Sequence, residues 1–188
     1  MKKAILSLAV FSALGFSAVS HAASIGATGN ISFNGGLTAE TCSLENSGAT
    51  GTGGNLSYDM GVVTTKSLGS EAAPATPVTV GGIASSTTMN LKLACASGSS
   101  VELKLTPTTR VNKGIGVSGG ATNVQIMLMQ GSSTLDFSTG SATLTAPLSG
   151  GVANFVLNAY YTLQAGKTIA QVTTGSANGS LAYVLSYN

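Results

Sequence analysis

The chain has no tryptophan and a single histidine, His21, and only 7% of its 188 residues are charged, against roughly a quarter in ordinary soluble domains. His21 falls inside a segment that reads as a cleaved leader, so no imidazole remains to activate a nucleophile or complete a metal set, and a secreted enzyme is disfavoured. The charge balance excludes more. Eight Lys and Arg stand against six Asp and Glu, and two of the basic residues, Lys2 and Lys3, belong to that leader, which leaves a formally neutral remainder. Nucleic-acid binding needs clustered positive charge to release counterions, and a polybasic membrane-surface mode needs the same. No phosphate cradle, calcium loop or carboxylate pair of defined spacing occurs; the Gly runs at 51–54 and 114–120 read as turns, and Asp59, Glu102 and Asp136 as isolated solvated acids.

What is present begins with residues 1–22. They have a charged start, an apolar middle broken by Ser7, Ser12 and Ser17, and small residues Ser20 and Ala22 placed for a signal peptidase, so cleavage is expected between Ala22 and Ala23. Cys42 and Cys95 then lie in an exported chain. Two cysteines allow one internal connectivity, and an oxidising compartment makes a bridge between them the default reading.

Residues 23–33 form an alternating stretch: Ile25, Ala27, Gly29, Ile31 and Phe33 share one face, with Ser24, Thr28, Asn30 and Ser32 between them. This strand precedes a Gly-Gly break at Gly35 and Gly36 and the body that the cysteines would staple. Pattern alone leaves two readings open, an ordinary first strand folding back on its own domain or a strand for a groove on another molecule.

The body, residues 36–188, is rich in Gly, Ser, Thr and Asn and carries strand-like runs at short intervals. They are expected over 37–44, over 55–63 with Leu56, Tyr58 and Met60 on one face, over 78–80, and over 88–95 with Met89, Leu91, Leu93 and Cys95 inward. Val101, Leu103 and Leu105 repeat the pattern; residues 110–120 read as a Gly-rich loop or irregular edge. Val124, Ile126 and Leu128 alternate with Gln125, Met127 and Met129, and short strands are expected at 135–137 and 142–146. Residues 152–163 place Phe155, Leu157, Ala159 and Tyr161 inward, 169–172 could pair briefly within a loop, and Leu181, Tyr183, Leu185 and Tyr187 close the chain at a period of two. No segment of ten or more residues after the leader has a helical period, so the expectation is an all-β antiparallel sandwich whose strand order periodicity does not give. Asn30, Asn55 and Asn178 begin glycosylation-type triplets, which a Ser-rich and Thr-rich chain produces by chance.

Laid out in order, several pieces carry a resemblance: the Gly-Asn-Ile-Ser-Phe-Asn-Gly run from Gly29, Thr41-Cys42, Met60-Gly61, the Leu-Lys-Leu-Ala-Cys run ending at Cys95, Thr122-Asn123, the Leu-Asn-Ala-Tyr-Tyr run from Leu157, and the terminal tyrosines Tyr183 and Tyr187. With them the chain resembles pilin subunits of the chaperone and usher pathway, nearest the major rod subunits of type 1 fimbriae. That resemblance implies an incomplete immunoglobulin-like β-sandwich missing its last strand, with residues 23–35 as a donor extension. It implies that Ile25, Ala27, Gly29, Ile31 and Phe33 point into the neighbouring subunit and that Leu181, Tyr183, Leu185 and Tyr187 border the groove that a periplasmic chaperone fills first. The implied partners are that chaperone, an outer-membrane usher and identical or related pilins, with host receptors met only indirectly and no cofactor. The implied place is the extracellular fimbrium, reached through the periplasm, where it supports adhesion and biofilm formation. The alternative is a minor or tip-proximal pilin, or small adhesin, binding host glycan directly.

Overall fold

The computed structural model describes residues 42–47 and 55–187. Among these residues alternating sequence becomes ten strands: β1 (Ser43–Ser47), β2 (Ser86–Ala94), β3 (Ser100–Pro107), β4 (Arg110–Val111), β5 (Gly114–Gly116), β6 (Val124–Gln130), β7 (Ser133–Thr134), β8 (Ala142–Pro147), β9 (Val152–Leu163) and β10 (Leu181–Tyr187). Among the described residues there is no α-helix, and two 3-10 turns, Thr65–Ser67 and Ile169–Gln171, are the only helical elements.

Two antiparallel sheets face each other. The larger runs β1-β2-β9-β6-β5-β4, with β7 pairing the far end of β6, and the smaller runs β10-β3-β8. Register follows the hydrophobic faces, because a slip of one residue would turn every inward side chain outward. Thus Leu91 lies opposite Phe155 and Leu93 opposite Ala153 across β2 and β9, while Leu103 lies opposite Leu185 across β3 and β10. The inward residues meet in one core that includes Leu93, Val101, Leu103, Leu105, Leu128, Phe137, Phe155 and Leu157. Outward positions such as Glu102, Lys104 and Lys92 stay exposed. The fold is therefore an open all-β sandwich, as the alternation implies.

The Cys42–Cys95 disulfide closes 53 residues of sequence and fastens the entry to β1 against the exit of β2. The pairing β1 makes with β2, from Ser43 opposite Ala94 to Ser47 opposite Asn90, continues that attachment along the sheet edge.

Several elements differ from the sequence reading. The first strand of the body is Ser43–Ser47, shifted past the expected 37–44, whose first five residues lie outside the described ones. Residues 78–80 form turns with Val80 fully exposed, and Leu135 and Phe137 are buried in irregular chain just after β7. Residues 169–171 form a 3-10 turn instead of a paired strand: the Gln171 side chain folds back to accept from the Thr168 N–H at 2.9 Å, a local bond that competes with a ladder. The Gly-rich stretch after Arg110 holds the β4–β5 hairpin. On β6 both faces are covered: Gln125 and Met127 are fully buried, and the connection ahead of β2 reaches this face at Gln125, whose Nε2 donates to Glu71 at 3.1 Å, while Gly69 bridges Thr162 on β9. Asp136 is not isolated either. It pairs with Lys113 Nζ at 3.3 Å and accepts from the Ser138 N–H at 2.8 Å.

Candidate functional site: an apolar groove along the last strand

A packed sandwich of this size has few internal voids larger than a water molecule. Here the core is open. A groove of about 740 Å³ reaches down to Leu103 and Leu105 of the smaller sheet and to Leu91, Leu93, Ile126, Leu128 and Ala159 of the larger one. Each of these is at most 6% exposed, so the floor of the groove is the hydrophobic core itself.

One wall is β10. It is the terminal strand of its sheet among the described residues, and its period of two turns Leu181, Tyr183 and Leu185 toward the groove while Val184 and Ser186 face out. Tyr187, 36% exposed, lies beyond the lining. The other wall is the extended stretch from Asn55 to Met60. Leu56, Tyr58 and Met60 pack against the core on alternate positions, as a strand would, yet this stretch forms no named strand. The Tyr58 hydroxyl is buried with no hydrogen-bond partner among the described residues, and burial pushes its pKa up.

The groove does not end at Met60. A second cavity of about 640 Å³ shares Ser57, Tyr58, Met60, Ile126 and Gly179 with the first and continues between residues 57–65 and 172–179. There the floor changes from leucines to Val124, Leu68 and the ring of Tyr161. Tyr161 donates its hydroxyl to the Ala177 carbonyl at 2.7 Å; burial first, and the negative charge of Asp59 second, push its pKa up. The Ser118 and Asn178 backbones exchange bonds of 2.7 and 2.9 Å, which holds the 172–179 wall in place. Gly179 is where the two cavities meet. A Cβ there would stand 2.8 Å from Ile126 Cδ1 and 3.2 Å from Ile115 Cγ2, so a glycine lets the chain cross the core closely enough for the groove to run on.

The expected donor residues Ile25, Ala27, Gly29, Ile31 and Phe33 all lie outside the described residues. Of the C-terminal set, Leu181, Tyr183 and Leu185 come together on one groove wall. Sequence reasoning missed the residue 172–179 wall, Tyr161 as a floor residue there, and Gly179. The Gly and Asn in that stretch signal only turns. Among the described residues no group of three or more His, Cys, Asp or Glu side chains could hold a metal, and no helix is long and apolar enough to cross a membrane.

Among solved structures, the rod subunit PapA of the P pilus superposes with a TM-score of 0.55 at 20% identity, covering 78% of this chain and 99% of that one. The fold is that of a pilus subunit. A second structure, of a chaperone-usher pilus described for the molecular basis of rod uncoiling, matches with a TM-score of 0.55 at 19% identity over 86% of this chain and 96% of that one. No family model matches the sequence, and no curated protein does.

Proposed function

We propose that this chain is a structural subunit of a chaperone-usher fimbria, exported through the periplasm and polymerised at the cell surface by donor-strand exchange, with the polymer supporting adhesion and biofilm formation. The observation that carries this reading is the groove beside β10, whose floor is the core of the sandwich. A cavity of that shape takes an extended apolar strand: backbone groups pair along β10, and alternate side chains enter the core. The fold shared with pilus rod subunits supports the same reading.

The chain itself contains a segment whose alternating sequence has suitable chemistry and length. From Ile25 to Phe33 is nine residues, and the wall from residue 55 to residue 63 is also nine; in extended form each spans about 26 Å. Ile25, Ile31 and Phe33 would each contribute roughly 1.5 to 3 kcal/mol on burial, before ordering costs. A head-to-tail link of this kind does not close on itself, so it propagates as a filament. A periplasmic chaperone would occupy the groove during export, and an outer-membrane usher would present the subunits for exchange.

The decisive experiment removes residues 23–33. The truncated subunit should still accumulate in complex with its chaperone while polymers disappear. Polymers that persist without this segment would show that some other part of the chain makes the link.

A further inference from the structure

Three aliphatic side chains stand almost wholly in solvent: Val62 at 103%, Val80 at 102% and Ile83 at 80% of their full accessible surface, while the next most exposed large apolar residue, Val184, is at 59%. They sit on two neighbouring loops. Val62 follows Gly61 and Val80 precedes Gly81, both glycines in the left-handed region (φ +63 and +76) with no atom within 4 Å of a would-be Cβ, so the turns hold these valines out into open space. The loops run side by side. Thr87 donates its hydroxyl to the Asp59 carbonyl at 3.3 Å, and further along a Cβ on Gly82 would strike the Lys66 carbonyl. Between residues 60 and 83 only Lys66 and Glu71 are charged, and Glu71 is engaged by Gln125 Nε2 and the Lys113 N–H.

Scattered single apolar residues on a surface carry no meaning, but three aliphatics this exposed on two adjoining loops mark a contact surface. Resting on the strand-addition reading above, we propose that Val62, Val80 and Ile83 form the seat for the folded body of the next copy of this chain, once that copy's N-terminal strand lies in the groove. Three observations select this occupant. Val62 lines the groove at its residue 172–179 end, so the set meets the groove through this residue. Every pair of named strands in the domain is antiparallel, and antiparallel pairing is the more stable per residue. A strand entering antiparallel to β10 runs from the Tyr187 side toward Leu181 and leaves at the Val62 end. Finally, only residues 34–41 separate Phe33 from Cys42, where the neighbour's described body begins. Fully extended, that connection reaches about 30 Å, comparable with a domain diameter, so the neighbour's body must lie beside this end of the groove.

The test compares hydroxyl-radical oxidation of the mature chain in two forms, monomers filled with a synthetic peptide of residues 23–34 and assembled filaments. Oxidation at Val62, Val80 and Ile83 should fall at least fivefold in the filament. Equal rates in the two forms overturn the proposal, and so does protection already present in the filled monomer, which would mean that the patch closes within one molecule. A double variant, Val80→Lys with Ile83→Lys, touches no residue lining the groove. It should capture the peptide as the parent does but give filaments several-fold shorter; filaments of parental length overturn the seat alone. Failure of the parent chain to capture the peptide would remove the strand-addition reading, and this proposal with it.

Discussion

The Tyr161 hydroxyl donates to the Ala177 carbonyl across 2.7 Å and so ties the floor of the groove on β9 to the 172–179 wall. Tyr161→Phe keeps the ring and removes the bond, which should lower stability by about 1 kcal/mol, or roughly 2 to 4 °C in Tm for a domain of this size. The loss should be local. Amide hydrogen exchange at Ser118 and Asn178, whose backbones bond each other, should speed up while core amides on β9 keep their protection. The pH dependence has a definite sign: because the folded state raises the phenol pKa, the tyrosine's advantage over phenylalanine is full below the ordinary value of about 10 and fades as pH rises through the folded pKa. Unchanged exchange at both amides would mean that the tether does not hold the wall.

Asp136 gives a second titration of opposite sense. Hydrogen bonds from Ser138, side chain and backbone, and then the Lys113 ammonium hold its carboxyl below the usual range. Its contribution is therefore present above the ordinary Asp pKa of about 3.9 and lost as pH falls through the lower folded value. Asp136→Asn should lower Tm slightly at neutral pH, and the two melting curves should converge in acid. A gap that stays constant with pH would assign the effect to packing instead of charge.

The long alternations were legible in the sequence. Twelve residues from Val152 to Leu163 carry apolar side chains at every second position, and β9 spans those residues; β10 and β3 follow for the same reason. What the pattern cannot express is long-range cover. Gln125 and Met127 look outward by periodicity, yet both are fully buried, and a connection some fifty residues earlier in sequence reaches Gln125 through Glu71. Ile169–Gln171 has apolar spacing fit for a strand, and the Thr168–Gln171 bond curls it into a 3-10 turn. The groove was half legible. Leu181, Tyr183 and Leu185 announce one wall, whereas Gly179 and Tyr161 take their places only when β5, β6 and β9 pack beneath residues 172–179.

The disulfide between Cys42 and Cys95 closes a loop long enough that the chain-entropy model assigns it about 4 kcal/mol. It also sits where β1 must stay registered on β2. Replacing both cysteines by alanine should cost 2 to 5 kcal/mol in urea unfolding of the peptide-filled domain, with β1 amides the first to lose protection. A loss below about 1 kcal/mol would mean that the β1–β2 ladder alone holds this edge.

Leu185 separates stability of the domain from capture of a strand. It is half-buried on the groove wall, opposite Leu103 in register, and packs against the core. In the empty domain a lysine at this position can turn its ammonium to solvent while its stem covers the wall, so Leu185→Lys should shift Tm only modestly. An inserted strand changes that balance, because it closes the solvent side and leaves the charge without an exit. The lost apolar contact alone is worth roughly 1.5 to 3 kcal/mol, which weakens binding of a residue 23–34 peptide by about 10- to 150-fold. Fluorescence anisotropy with a labelled peptide measures the first quantity and thermal melting of the empty domain the second. A variant that melts far below the parent, yet binds peptide with parental affinity once folded, would place Leu185 in the core of the domain and not at the contact with the strand.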